Sequence, residues 1–193
     1  MRLTFNAPIT LTFAIMATVI YFFFTYNSPP EVCVLRGQFD TSNWRWYLSL
    51  FGYTLGHGST EHLIGNLSLI LLLGPILEEK YGSKKLLLML LLTAFLTAVV
   101  HILFFSHSLI GASGIVFMMI VLVSLTNVKQ GEIPITFILI MILYVGQEVY
   151  KAFDVDQVSQ FAHILGGILG AIFGFTFRPG GRTGKPVLSI KAD

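Results

Sequence analysis

Apolar residues in this chain fall into long blocks separated by short polar punctuation, the pattern of membrane-crossing helices rather than of a soluble domain. The first block runs from Pro8 to Phe24, within a stretch that carries no charge between Arg2 and Glu31, and Pro29-Pro30 follows it. A secretory signal has an apolar region of only about 7–15 residues, so this block is read as a retained helix. Further blocks cover residues 62–77, 86–105, 113–127, 135–147 and 161–177. Glu78-Glu79-Lys80 is expected to stop the second, Lys84 and Lys85 open the third, and Arg178-Pro179-Gly180 closes the sixth. Six blocks predict an all-α polytopic membrane protein, a bundle of six transmembrane helices. It forms one domain over residues 1–178, with a flexible cytoplasmic tail at 179–193.

The fourth block begins at Ser113, inside the stretch Leu86 to Val128 that lacks any Asp, Glu, Lys or Arg. It is therefore expected to be a short helix starting within the membrane. Between the first two blocks, residues 26–60 combine Glu31, Arg36, Asp40 and Arg45 with the aromatic run Trp44-Arg45-Trp46-Tyr47, then Phe51 and Tyr53. Trp and Tyr favour the membrane–water boundary because an apolar ring carries one wet polar atom. This segment is read as an interfacial outer loop.

Composition narrows the function. The chain is 54% hydrophobic and 11% charged, against about 25% charged in soluble domains, so it belongs in the lipid bilayer. A net charge of +2 without a basic, aromatic-interleaved cluster excludes a nucleic-acid partner. The single cysteine, Cys33, excludes an internal disulfide, and no H-E-x-x-H or paired ligand spacing points to a metal. No cofactor is implied, and the sequence carries no signal of oligomeric state. No internal repeat is visible, which counts against a transporter. Nine basic residues (Arg2, Lys80, Lys84, Lys85, Lys129, Arg178, Arg182, Lys185 and Lys191) fall on one side of the six-pass arrangement; Arg36, Arg45 and Lys151 fall on the other. That bias puts both termini in the cytoplasm.

With this orientation the second, fourth and sixth blocks all descend from outside to inside, and depth can be counted back from the inner charges. Ser113 precedes Lys129 by 16 residues, His163 precedes Arg178 by 15, and His62 precedes Glu78 by 16. All three therefore sit ~23 Å above the inner boundary of a core about 30 Å thick. Asn66 lies one turn below His62 on the same face. Each alone reads as a residue that glues helices or bonds a backbone carbonyl; four polar groups meeting near one depth read as a site. His101 and His107 fall outside it and are read as structural. On the sixth block Gly166, Gly167, Gly170 and Gly174 lie within about 60° of His163, so a partner helix can approach closely on the face that carries the histidine. If the partner is the fourth block, His163 is pressed toward Ser113, with Gly111 and Gly114 permitting a tight entry. Ser and His without a carboxylate form a workable nucleophile–base pair, and His62, Asn66 and the free N–H groups at the helix start can donate to an oxyanion.

These residues resemble the rhomboid family of intramembrane serine proteases over Trp44 to about Gly174. Trp44-Arg45 resembles the family's Trp-Arg pair, and His57, His62 and Asn66 its His-x4-His-x3-Asn. Glu78 and Gly82 match its Glu-x3-Gly, Gly111-Ala112-Ser113-Gly114 its Gly-x-Ser-Gly, and Ala162-His163 with Gly166 and Gly170 its Ala-His-x2-Gly-x3-Gly. The resemblance implies Ser113 as nucleophile, His163 as general base, and an oxyanion hole of His62, Asn66 and the Ser113 N–H. Trp44, Arg45, His57, Glu78 and Gly82 would be structural. The implied substrate is a transmembrane segment of another membrane protein, cleaved near the outer boundary, and the implied location is a bacterial inner membrane with the site opening outward. One departure is visible. The family usually has Tyr four residues after the serine, stacked beneath the histidine; here it is Phe117, which keeps the aromatic face and loses the hydroxyl. The alternative implied by the same resemblance is a non-catalytic relative that binds or remodels client helices.

Overall fold

The computed structural model describes residues 4–24, 29–126, 133–140, 142–143 and 157–177. Among them the chain forms seven α-helices and no strand: α1 (Pro8–Phe24), α2 (Trp44–Gly52), α3 (Thr60–Tyr81), α4 (Ser83–Phe104), α5 (Ser113–Ser124), α6 (Ile135–Ile140) and α7 (Gln157–Thr176). α3 and α4, at 22 residues each, are long and apolar enough to cross a membrane. They also carry outward-facing Ile64, Leu72, Leu103 and Phe104, a surface that suits lipid rather than water. The proposed ends of the fifth block (beyond residue 143) and the tail at 179–193 lie outside the described residues.

α5 is the hub. Eight of its twelve residues are buried, so it touches neighbours all round, and its ~18 Å length is too short to span the bilayer core alone. Its apolar shell includes Ile70 and Leu77 from α3, Met89 from α4, and Leu169 and Phe173 from α7. α7 approaches closest, because glycines line the crossing. A Cβ added to Gly166 would strike the Gly114 carbonyl, and one at Gly170 would strike that of Met118.

Three expectations need correction. The second block does not stop at Glu78. Helix α3 continues to Tyr81 and ends at Gly82, whose φ of +83° suits glycine. Glu78 can stay in the helix because it is turned inward and buried. Its carboxylate accepts from Ile9 N at 3.0 Å, Thr10 N at 3.1 Å and Thr10 Oγ1 at 2.9 Å. It thereby caps the free N–H groups that open α1. Gly74 lets Thr10 lie close, since a Cβ there would fall 2.5 Å from Thr10 Cγ2.

The second correction concerns residues 26–60, read as a loop. They contain α2 and two short 3-10 turns, Glu31–Cys33 and Tyr53–Leu55. Asn43 caps α2 by accepting from Arg45 N at 3.0 Å. The tryptophans part company: Trp44 is exposed, as an interfacial anchor would be, whereas Trp46 is buried and donates from Nε1 to the Gln38 carbonyl at 2.9 Å. Third, α5 ends at Ser124 rather than 127, its last turn tightening so that Leu125 N donates to the Leu122 carbonyl at 3.1 Å.

The segment between α1 and α3 is docked onto the loop that leads into α5. Leu35 and Leu109 exchange both backbone hydrogen bonds, at 3.0 and 2.8 Å, and Gly111 N donates to the Tyr53 carbonyl at 2.9 Å. Gly37 and Gly56 permit this docking, because a Cβ on either would collide with neighbouring backbone. Burial raises the Cys33 thiol above its ordinary range, which leaves it an inert packing group.

Two stability outcomes follow. Glu78→Ala strands the donors of α1's first turn and should cost about 3 kcal/mol, read as a lower unfolding midpoint in detergent micelles. Gly166→Ala should cost about 1–3 kcal/mol by overpacking the α5–α7 crossing. Gly65→Ala, where an added Cβ meets nothing within 4 Å, should instead be neutral or stabilising by up to about 1 kcal/mol. Equal effects of the two glycine changes would contradict the packing account.

Candidate active site

Ser113 is the first residue of α5, and the turn before it decides where it points. Gly111 has φ +118°, a conformation that residues with a Cβ rarely adopt. The His62 ring lies directly over it: a Cβ at Gly111 would fall 2.5 Å from His62 Cε1 and 2.8 Å from Nε2. The glycine thus serves two purposes, turning the chain into α5 and admitting the imidazole beside the serine. Ser59 caps α3 by accepting from His62 N at 3.2 Å, which holds His62 at the first turn of its helix.

From the other side comes α7. Gly114, next to the serine, lies against the Ala162 carbonyl, to which an added Cβ would approach within 3.2 Å. His163 follows Ala162, and its ring stacks on Phe117 with centroids 4.3 Å apart and planes 6° from parallel. Ser113 and Phe117 are four residues apart on one face of α5, so the stack carries the imidazole on the serine's side of the helix. His62 and His163 lie within electrostatic reach of one another. Ser113, His62 and His163, on three different helices, are therefore brought together, with Phe117, Gly111, Gly114 and Gly166 shaping the contact.

Asn66 is also present, one turn below His62 and buried, and it is engaged. Its Nδ2 lies 3.1 Å from His57 Nε2. His57 Nδ1 in turn lies 3.3 Å from the Leu55 carbonyl, and the rings of His57 and His62 meet edge to face at 5.1 Å. Burial, with His62 beside it, pushes His57 down to about 4, so the ring is neutral at physiological pH.

The remaining motif residues lie elsewhere. Arg45 sits on exposed α2, 5.7 Å above the Trp44 ring and 3.4 Å from Glu31. Glu78 and Gly82 are at the opposite end of α3 from His62, ~24 Å away along the helix. An apolar cavity of about 350 Å³ between α1, α4 and the segment Phe51–Leu55 contains no titratable side chain and is not this site. No group of three His, Cys, Asp or Glu side chains suited to a metal occurs among the described residues.

One feature escaped the sequence reading. Thr93, Thr97 and His101 recur every four residues on α4 and are all buried. His101 Nε2 donates to the His107 carbonyl at 2.7 Å, which leaves its Nδ1 an acceptor. That atom and Thr93 Oγ1 have no protein partner among the described residues. The i, i+4, i+8 spacing of polar residues in an apolar helix was the available signal.

A sequence profile of the rhomboid domain matches residues 42–180. The chain is 28% identical over 139 residues to the rhomboid protease GlpG of Haemophilus influenzae, covering 70% of each chain. It is 27% identical over 161 residues to rhomboid-related protein 1 of Caenorhabditis elegans, covering 77% of this chain and 44% of that one. With the profile spanning most of the chain and the similarity to a rhomboid protease covering 70% of it, the protein belongs to the rhomboid family.

Proposed function

We propose that this rhomboid is a serine endopeptidase acting within the membrane on transmembrane segments of other proteins. The observation that carries the reading is the parallel stack of His163 on Phe117, at a glycine-lined crossing that brings α7 onto the serine end of α5. Ser113 Oγ attacks the substrate carbonyl and His163 takes its proton. Phe117 holds the imidazole plane and stabilises the imidazolium through its ring face. The developing oxyanion is met by the Ser113 N–H, which has no partner within α5 because it lies in the first turn, and by His62 and Asn66. His163 then returns the proton to the leaving amine, and water resolves the acyl-enzyme. The buried polar stripe of Thr93, Thr97 and His101 offers that water hydrogen-bonding partners in otherwise apolar surroundings.

The topology belongs to the same proposal. Six crossings form a single domain over residues 1–178, with both termini in the cytoplasm and the site opening outward from a bacterial inner membrane. Access comes from the side of α6, none of whose described residues is buried, or through an outer loop capping the site. A helical carbonyl is shielded by its own hydrogen bond, so the cleaved segment must unwind first. Substrates with Gly or another helix-weakening residue near the scissile bond should be cut faster than those with Leu there; the reverse order in a substrate scan would argue against attack on unwound backbone.

The decisive experiment pairs cleavage of a single-span substrate with labelling by a serine-directed fluorophosphonate. Wild type should cleave and label, whereas Ser113→Ala should do neither and His163→Ala should lose at least about 10³-fold in both rates. Cleavage that persists in both variants sinks the proposal. A folded wild type that neither labels nor cleaves, yet retains client helices, would support the non-catalytic alternative.

A further inference from the structure

The proposed mechanism leaves His57, a buried titratable residue, unused. His57 stands before α3, outside the Ser113–His163 pair, and both of its ring nitrogens are committed. Nδ1 faces the Leu55 carbonyl at 3.3 Å, and Nε2 faces Asn66 Nδ2 at 3.1 Å. A carbonyl oxygen can only accept, so Nδ1 must carry the hydrogen. A neutral imidazole has one N–H, so Nε2 must present its lone pair. The asparagine, whose amide could otherwise turn either way, is then obliged to offer its NH2 group rather than its oxygen.

We infer that His57 is a positioning residue: as its Nδ1–H tautomer it orients the Asn66 amide so that Nδ2 uses one hydrogen on His57 and keeps the other for the substrate oxyanion. The Leu55 carbonyl, at the end of the Tyr53–Leu55 turn, is the group that selects the tautomer. The outer segment thereby reaches the reacting centre through two hydrogen bonds in series, without touching substrate. With His57 removed, the amide can rotate and present its oxygen toward the developing negative charge, which repels it. The inference rests on the protease reading for its catalytic meaning, but not for the tautomer itself.

The test combines a double-mutant cycle with spectroscopy of the full chain in lipid. His57→Phe should lower kcat about 100-fold, the scale of losing one oxyanion donor, with KM within about 2-fold. In an Asn66→Ala background the same change should lower kcat no further. His57→Gln, whose amide supplies a donor for Leu55 and an acceptor for Asn66, should recover to within about 10-fold of wild type. Equal losses from His57→Phe in both backgrounds would overturn the inference, since a merely structural histidine behaves that way. Independently of activity and of whether the variants fold, 15N spectra of histidine-labelled wild type should show the His57 ring protonated at Nδ1; an Nε2–H ring would overturn it. Wild type lacking Ser113-dependent cleavage would count against the protease reading alone, with the tautomer still decided by the spectra.

Discussion

Helices in lipid are not driven together by the hydrophobic effect, since lipid tails are as apolar as leucine; association rests on close van der Waals fit and on hydrogen bonds. In this protein the closest fit is the crossing of α5 and α7, where glycine faces carbonyl: Gly166 against Gly114, Gly170 against Met118. That contact does more than hold two helices. Ser113 precedes Gly114 by one residue and His163 precedes Gly166 by three, so the register that packs the bundle also sets the separation of Ser113 and His163. On the proposed mechanism, stability and chemistry are joined at one place. A sliding or widening of the crossing could not disturb one and spare the other.

The second constraint is the accounting of backbone hydrogen bonds. A buried loop leading into α5 cannot leave its N–H and C=O groups bare. The exchange between Leu35 and Leu109, and the donation from Gly111 to Tyr53, meet this need with backbone from the segment between α1 and α3. The same segment ends at Leu55 and His57, beneath which Asn66 lies. Residues far apart in the chain thus make one rigid surround for the turn at Gly111.

How much of this was legible in the sequence depends on the range of the cause. The start of α5 at Ser113, the full extent of α1 and the glycine face of α7 follow from local hydrophobicity and helical spacing, and they were read accordingly. The expectation that Ser113, His62 and His163 meet near one level likewise needs only a count of residues. What was missed has long-range causes. A charged residue reads as a helix stop unless a distant helix needs its carboxylate, as α1 needs Glu78. Trp44-Arg45-Trp46 reads as an interfacial run because burial of Trp46 depends on its bond to Gln38 across a bend. His57 was legible as a family position, but its bond to Asn66 was not, since it is made across the start of α3.

The cap on α1 has a consequence for how the molecule is made. The N–H groups of Ile9 and Thr10 are completed by a carboxylate 69 and 68 residues further along the chain, respectively. Translation at about 5–20 residues per second takes roughly 3–14 s to supply it. During that interval α1 has emerged while its first turn still lacks the acceptor that the finished fold provides. Until Glu78, at the far end of α3 from His62, has joined α1, the first helix lacks the anchor that the finished fold gives it.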